Sequence, residues 1–340
     1  MRINFEYEKK KIEYSWGYVF KGKNYRCSLI KYPTLYKNPA PGTETVEVYN
    51  FSPKTEAKAS VLIIQGLGSR NVYFLLWMAT HLASSGVNTS VLILPGNFTR
   101  VEHGSVSGKS YLWPDIKVMY QFWEHGIVDT LTTIDLLQQQ NLWKQNNCVL
   151  GYCLGGMIAT IIMAFEKRIN QTILMTVGGH FPKIIFESSA TAFARKLFAK
   201  GFETDYYLND KEKLFKIYKE QFLKVRKMRL TEILNSTEIH PLFKIDPLSY
   251  AHLIDKERIT FINAIFDKTL PLESRKMLAR ELKGSKIYNL PIGHTIWLPF
   301  EYVLARYILH KVNVYDRKVV KKLLIKEEIE DPLDEDTTIK

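Results

Sequence analysis

The sequence predicts an α/β protein, a mostly parallel, doubly wound sheet interrupted by one helical insertion. Three observations predict it. Buried-strand segments, the continuous apolar run Ser60 to Ile64 and then Asn88 to Leu94, recur with helical patterns between them, as strands covered on both faces do. Glycine or proline follows run after run, at Gly66, Pro95-Gly96 and Gly178-Gly179. From His180 to about Lys256 the strand signal lapses into helical composition.

Residues 1 to about 58 carry aromatic and β-branched segments, Tyr14 to Phe20, Tyr25 to Ile30 and Thr45 to Phe51, separated by turn signals. They predict an antiparallel entry to the sheet. Ser60 to Ile64 is then a buried strand, Val72 to Ser84 a helix, Asn88 to Leu94 a second strand, and about Met119 to Gln140 one or two helices. A long loop before the latter carries Arg100, His103 and Gly104. Further strands are expected at Cys148 to Tyr152, Gln171 to Val177, Arg258 to Ile265 and Ser285 to Leu290. Helices are expected at Phe193 to Phe198, Leu214 to Leu223, Leu272 to Leu282 and about Phe300 to His310. This divides the chain into a core of residues 1–180 and 257–312, a helical insertion at 181–256 and a charged C-terminal tail at 313–340.

A chain of 340 residues with 46% hydrophobic and 24% charged residues can bury a sizeable core. The net charge of +12 invites a nucleic-acid reading, but Lys and Arg are scattered and form no basic stripe interleaved with aromatics, so none is expected as a partner. Residues 181–230 hold twelve Lys plus Arg against six Asp plus Glu, which is compatible with attraction for an anionic substrate. Cys27, Cys148 and Cys153 show no metal-ligand spacing, and their odd number argues against a disulfide framework. The first residues lack the apolar core of a signal peptide, and the run Cys148 to Phe165 is broken by glycines. A cytoplasmic protein without a membrane span, metal or cofactor is the expectation.

The chemistry centres on Val149-Leu150-Gly151-Tyr152-Cys153-Leu154-Gly155-Gly156, which leads into the apolar run Met157 to Phe165. It reads as strand, tight turn and helix with a nucleophile on the turn. Side chains two places before and after such a residue would strike neighbouring backbone, which Gly151 and Gly155 avoid. Cys153 is expected to point outward. Asp267 and His294 fall in loops after two later strands, and carboxyl ends of parallel strands share one sheet edge, so the three can converge. Each also has an ordinary role open to it. Cys153 could fill space as a small hydrophobe, His294 could be a satisfied core histidine, Asp267 could cap the helix near Leu272, and Asp246 or Asp255 could stand in for it.

The order nucleophile, acid, histidine resembles the α/β-hydrolase superfamily over roughly residues 60 to 310. Gly-Tyr-Cys-Leu-Gly-Gly is similar to the cysteine elbow of dienelactone hydrolases and to the lipase-like box of polyhydroxyalkanoate synthases. The resemblance implies an α/β-hydrolase fold with an inserted helical cap. It also implies a Cys153, His294 and Asp267 triad, with the backbone N–H groups of Leu67 and Leu154 as oxyanion hole. The implied reaction is cofactor-independent hydrolysis of a small-molecule carboxylic ester or thioester through an acyl-cysteine. An acyltransferase or hydroxyacyl polymerase, and a non-catalytic scaffold, are the competing readings. Dienelactone hydrolases lack a large cap, and only the elbow clearly matches polyhydroxyalkanoate synthases, so substrate identity is not implied.

Overall fold

Three antiparallel strands open the chain in the computed structural model, which describes residues 1–68, 72–295 and 301–315. They are β1 (Ser15–Lys21), β2 (Tyr25–Pro33) and β3 (Thr45–Pro53). There follow β4 (Ala59–Ile64), α1 (Tyr73–Ser84), β5 (Val87–Ile93), α2 (Ile116–Gln139), β6 (Asn147–Tyr152), α3 (Leu154–Met163) and β7 (Gln171–Met175). Four helices come next, α4 (Phe181–Glu187), α5 (Ala192–Ala199), α6 (Lys211–Val225) and α7 (Leu230–Asn235), with a single turn of 3₁₀ helix between α4 and α5, another between α5 and α6, and four more after α7. The chain closes with β8 (Ile259–Ala264), α8 (Leu272–Glu281), β9 (Lys286–Leu290) and α9 (Glu301–Lys311). The expected start of the last helix at Phe300 and the tail beyond residue 315 lie outside the described residues.

The strands form one nine-stranded sheet in the order β1-β2-β3-β5-β4-β6-β7-β8-β9. Pairing is antiparallel through β3 and β5 and parallel from β5 to β9. β4 and β5 are buried at every residue because helices cover both faces; β4 accordingly reads as a nearly continuous apolar run, while β5 also buries Asn88, Thr89 and Ser90. One hydrophobic core lies between the sheet and α2, α3 and the helices after β7; a second lies on the α1 and α9 face.

The register positions the functional residues. Ile64 pairs with Gly151, Tyr152 with Met175, Met175 with Ile262, and Ala264 with Leu290. The loops that follow β4, β6, β8 and β9 therefore emerge along one edge.

The stretch expected as one or two helices from Met119 is a single 24-residue helix, α2, that begins at Ile116. Asp115 caps it by accepting the Lys117 N–H at 2.7 Å. Arg100 is not a loop ornament: it is buried, and its Nη2 lies 2.7 Å from Asp129 Oδ2 on α2. The same guanidinium donates to the carbonyls of Ile93 and Thr43, each at 2.7 Å, and Thr34 donates to Asp129 Oδ1 at 2.5 Å. Burial pushes the Asp129 carboxyl up, but the neighbouring His125 and Arg100 outweigh it and hold it at about 2. This cluster fastens α2 to the ends of β2, β3 and β5. No helix among the described residues is long and apolar enough to cross a membrane.

Asp246 plays a similar part after β7. Its carboxylate accepts the N–H groups of His180, Phe181 and Leu248 at 3.0, 2.8 and 3.0 Å, joining the first helix of the insertion to its return path.

Removing one partner of a fully buried pair leaves an uncompensated charge. Arg100→Met is therefore expected to lower the unfolding free energy by about 3–5 kcal/mol in urea denaturation, with part recovered when Asp129→Leu is added. An unchanged midpoint in the single variant would refute the anchoring role of the cluster.

Candidate active site

Cys153 stands between the last residue of β6 and the first of α3 with φ 50° and ψ −112°, a conformation that L side chains rarely adopt. Two bonds hold it there: its N–H donates to the Met175 carbonyl at 3.0 Å, and its own carbonyl accepts the Met157 N–H at 3.0 Å. The glycines around it are required by close approach. A Cβ on Gly151 would lie 2.5 Å from Gly156 Cα, and one on Gly155 would meet the Ile64 carbonyl and lie 2.6 Å from that of Gln65. Gly156, where a side chain would strike Val177, is a third constraint that the two-glycine spacing does not reveal.

Cys153, expected to point outward, opens onto a cavity and not onto bulk solvent. It is 7% exposed and lines a cavity of about 430 Å³ with Leu67, Leu154 and His294. Gly66, in the loop after β4, approaches so near that a Cβ there would sit 3.3 Å from the Cys153 Cβ. Both residues expected as oxyanion donors thus border the cavity onto which Cys153 opens.

His294 Nδ1 lies 2.8 Å from Asp267 Oδ2, and the ring lines the same cavity as Cys153. The other Asp267 oxygen accepts the N–H groups of Thr269 and Leu270 at 2.7 and 3.0 Å. The carboxylate thus shapes its own loop and holds the imidazole with its remaining oxygen. Helix α8 takes no side-chain cap from it; Pro271 stands at that position. Asp246 is engaged with the backbone as described, and Asp255 caps a single turn by accepting the Glu257 N–H at 3.1 Å. Of the three candidate acids, the structure brings Asp267 to His294.

Burial acts to lower the His294 pKa, but the negative charge of Cys153, together with the Asp267 hydrogen bond, overrides it and lifts the ring to about 10. Asp267 moves the other way. Burial would raise it, and the hydrogen bond and charge of His294 hold it below the usual carboxylate range.

Two supporting residues escaped the sequence reading. Arg275 of α8, itself buried, donates to the carbonyls of Leu270, Ala264 and Asp267 at 3.3, 2.6 and 3.4 Å and to Asn263 Oδ1, and its Nε lies 3.9 Å from Asp267 Oδ2. It fixes the turn that carries the acid. Tyr152 donates its hydroxyl to the His294 carbonyl at 2.6 Å and packs its ring 5.7 Å from the imidazole, holding the histidine loop over the elbow. A tyrosine beside the nucleophile was visible in the motif; its partner 142 residues away was not. Among the described residues no group of three or more His, Cys, Asp or Glu side chains is arranged to hold a metal ion.

No protein-family model matches the chain, and no curated protein matches it in sequence. Solved structures do match in shape. An acetyl xylan esterase from Paenibacillus sp. R4 superposes with a TM-score of 0.59 at 16% identity, over 88% of this chain and 89% of that one. Acetyl xylan esterase 1 from Thermoanaerobacterium sp. JW/SL YS485 gives 0.54 at 16% identity, over 91% and 89%. A cold-adapted esterase from an Arctic intertidal metagenomic library gives 0.52 at 13% identity, over 93% and 100%. With the strand order and the elbow described above, these similarities establish that the chain has the α/β-hydrolase fold.

Proposed function

We propose that the protein is a cofactor-independent hydrolase of carboxylic esters or thioesters working through an acyl-cysteine intermediate. The observation that carries this reading is the meeting, on one cavity, of a strained cysteine at the start of a helix and a histidine held by a buried carboxylate. The fold shared with proteins named as esterases supports the same reaction class.

In this mechanism Cys153 Sγ bonds to the substrate carbonyl carbon, its proton taken by His294 in the reaction or already held there as an ion pair. The carbonyl π pair moves onto oxygen, where the N–H groups of Leu154 and Leu67 receive the charge, each such donor contributing about 3 kcal/mol to the transition state. The C–O or C–S bond of the leaving group then breaks, and His294 returns the proton to it. Water, deprotonated by the same ring, adds to the acyl-cysteine; the C–S bond breaks, giving the free acid and the thiol. Because Nδ1 is bound to Asp267, Nε2 is the nitrogen that exchanges protons, and the carboxylate stabilises the imidazolium.

Cys153→Ala is expected to lower kcat on p-nitrophenyl butyrate and butyryl-coenzyme A by about 10⁴-fold or more. Iodoacetamide should alkylate Cys153 ahead of Cys27 and Cys148, whose thiols burial pushes up to about 12. Equal labelling of all three, with no ester cleaved by either protein, would end the catalytic reading. Free acid in the products separates hydrolysis from transfer to an added alcohol.

A histidine raised in the folded state to about 10 from an ordinary 6.5 contributes stability that is fully present below pH 6.5 and is lost as pH climbs through 10. The wild-type melting temperature should therefore fall further between pH 7 and pH 10.5 than that of His294→Gln; parallel slopes would count against the charged pair.

Arg275→Gln should lower kcat by about tenfold with a smaller change in KM, because the acid turn loosens while the cavity wall persists. Arg275→Lys should not restore it, since a point charge cannot reach several carbonyls as a guanidinium fork does. A fall in melting temperature with kcat intact would make the residue structural only.

A further inference from the structure

The cavity is larger than the reacting groups need, and its lining is of two kinds. His294, Thr295 and Thr269 supply polar side chains. Leu112, Trp123, Leu154, Met157, Ile184 and Ala190 form an apolar wall. Leu112, Trp123, Leu154, Met157 and Ile184 belong to the hydrophobic core beneath the inserted helices, whereas Cys153 and Tyr152 belong to the core on the other face. The cavity therefore borders both cores.

The proton route orients a substrate in this space. His294 must protonate the departing atom, so the leaving group lies beside His294. The acyl group then takes the remaining space, which the apolar wall lines. No Asp, Glu, Lys or Arg side chain lines that wall among the described residues, and a charged acyl terminus would lose its hydration there with no partner. An acetyl group would leave most of about 430 Å³ without apolar contact, in a wall that offers water few hydrogen bonds. Trp123 forms an immobile part of the wall: its Nε1 donates to the Tyr111 carbonyl at 3.0 Å, and its ring stands edge-on to Phe181 of α4 at 5.6 Å. The pocket is thus both apolar and bounded.

We propose that the site is built for uncharged, medium-length apolar acyl groups, hexanoyl to decanoyl, delivered as esters or thioesters whose leaving group stays beside His294. This rests on the hydrolase reading above and goes beyond it, since the named substrate of the similar acetyl xylan esterases carries only an acetyl group.

The test is a chain-length series of p-nitrophenyl esters from acetate to palmitate, with a p-nitrophenyl adipate monoester as the charged control, each run beside Cys153→Ala. The wild-type kcat/KM should rise about fourfold per methylene from acetate to octanoate, the equivalent of ~0.8 kcal/mol per buried CH₂, and fall again by palmitate. The adipate monoester should be at least a hundredfold poorer than hexanoate. Ala190→Phe, which narrows the wall, should lower the octanoate-to-acetate ratio tenfold or more, and Ile184→Ala should raise the palmitate-to-octanoate ratio, so that failure of one variant to fold leaves the other. A flat or falling series that still depends on Cys153, or an adipate monoester cleaved as well as hexanoate, overturns the acyl assignment and leaves the hydrolase reading standing. Cleavage of no ester, or cleavage that survives Cys153→Ala, overturns both.

Discussion

The backbone of Cys153 is the constraint on which the rest of the site depends. A non-glycine residue at φ 50° and ψ −112° costs on the order of 1–3 kcal/mol and persists only where its surroundings leave no alternative. Here those surroundings are the Met175 carbonyl, which fixes the Cys153 N–H, and the start of α3, pressed against the carbonyls of Ile64 and Gln65 through Gly155. That contact ties the elbow to the parallel pairing of β4 with β6, because a slip of one residue would bring a side chain where only Gly155 fits. Sheet register and nucleophile geometry are one constraint seen at two scales.

The partners of Cys153 reach it by the same route and need separate fastenings. Parallel pairing delivers the ends of β8 and β9 to the edge where β6 ends, but it leaves the loops after them free to settle in many ways. Arg275 removes that freedom from the acid turn by spanning three of its carbonyls, and Tyr152 removes it from the histidine loop by bonding the His294 carbonyl. Neither fastening touches a substrate. Both decide whether a 2.8 Å bond between imidazole and carboxylate forms at all.

This division explains what could be read from the sequence. Strand runs, the glycine spacing about Cys153, and the loop positions of Asp267 and His294 are local patterns, and local patterns survive in one dimension. Arg275, one arginine on an amphipathic helix, and the ion cluster of Arg100 with Asp129 have no such pattern, because their meaning lies in partners brought near only by the completed fold. The burial of Cys153 has a related cause: the turn aims it away from the sheet, as its motif implies, but the helices inserted between β7 and β8 help enclose the space it faces. An insertion is visible in sequence; what it covers is not.

Enclosure in turn bears on why a cysteine, rather than a serine, suits this elbow. Burial by itself pushes the His294 ring toward its neutral form, and among the opposing influences the charge of Cys153 comes first. In the proposed mechanism a thiol that hands its proton to the ring leaves an anion beside the cation it creates. A hydroxyl gives its proton up far less readily and would leave the ring with Asp267 alone to stabilise its charge. Under that proposal, the less a site can draw on water to solvate an imidazolium, the more the pairing of sulfur and imidazole contributes to supplying the proton donor.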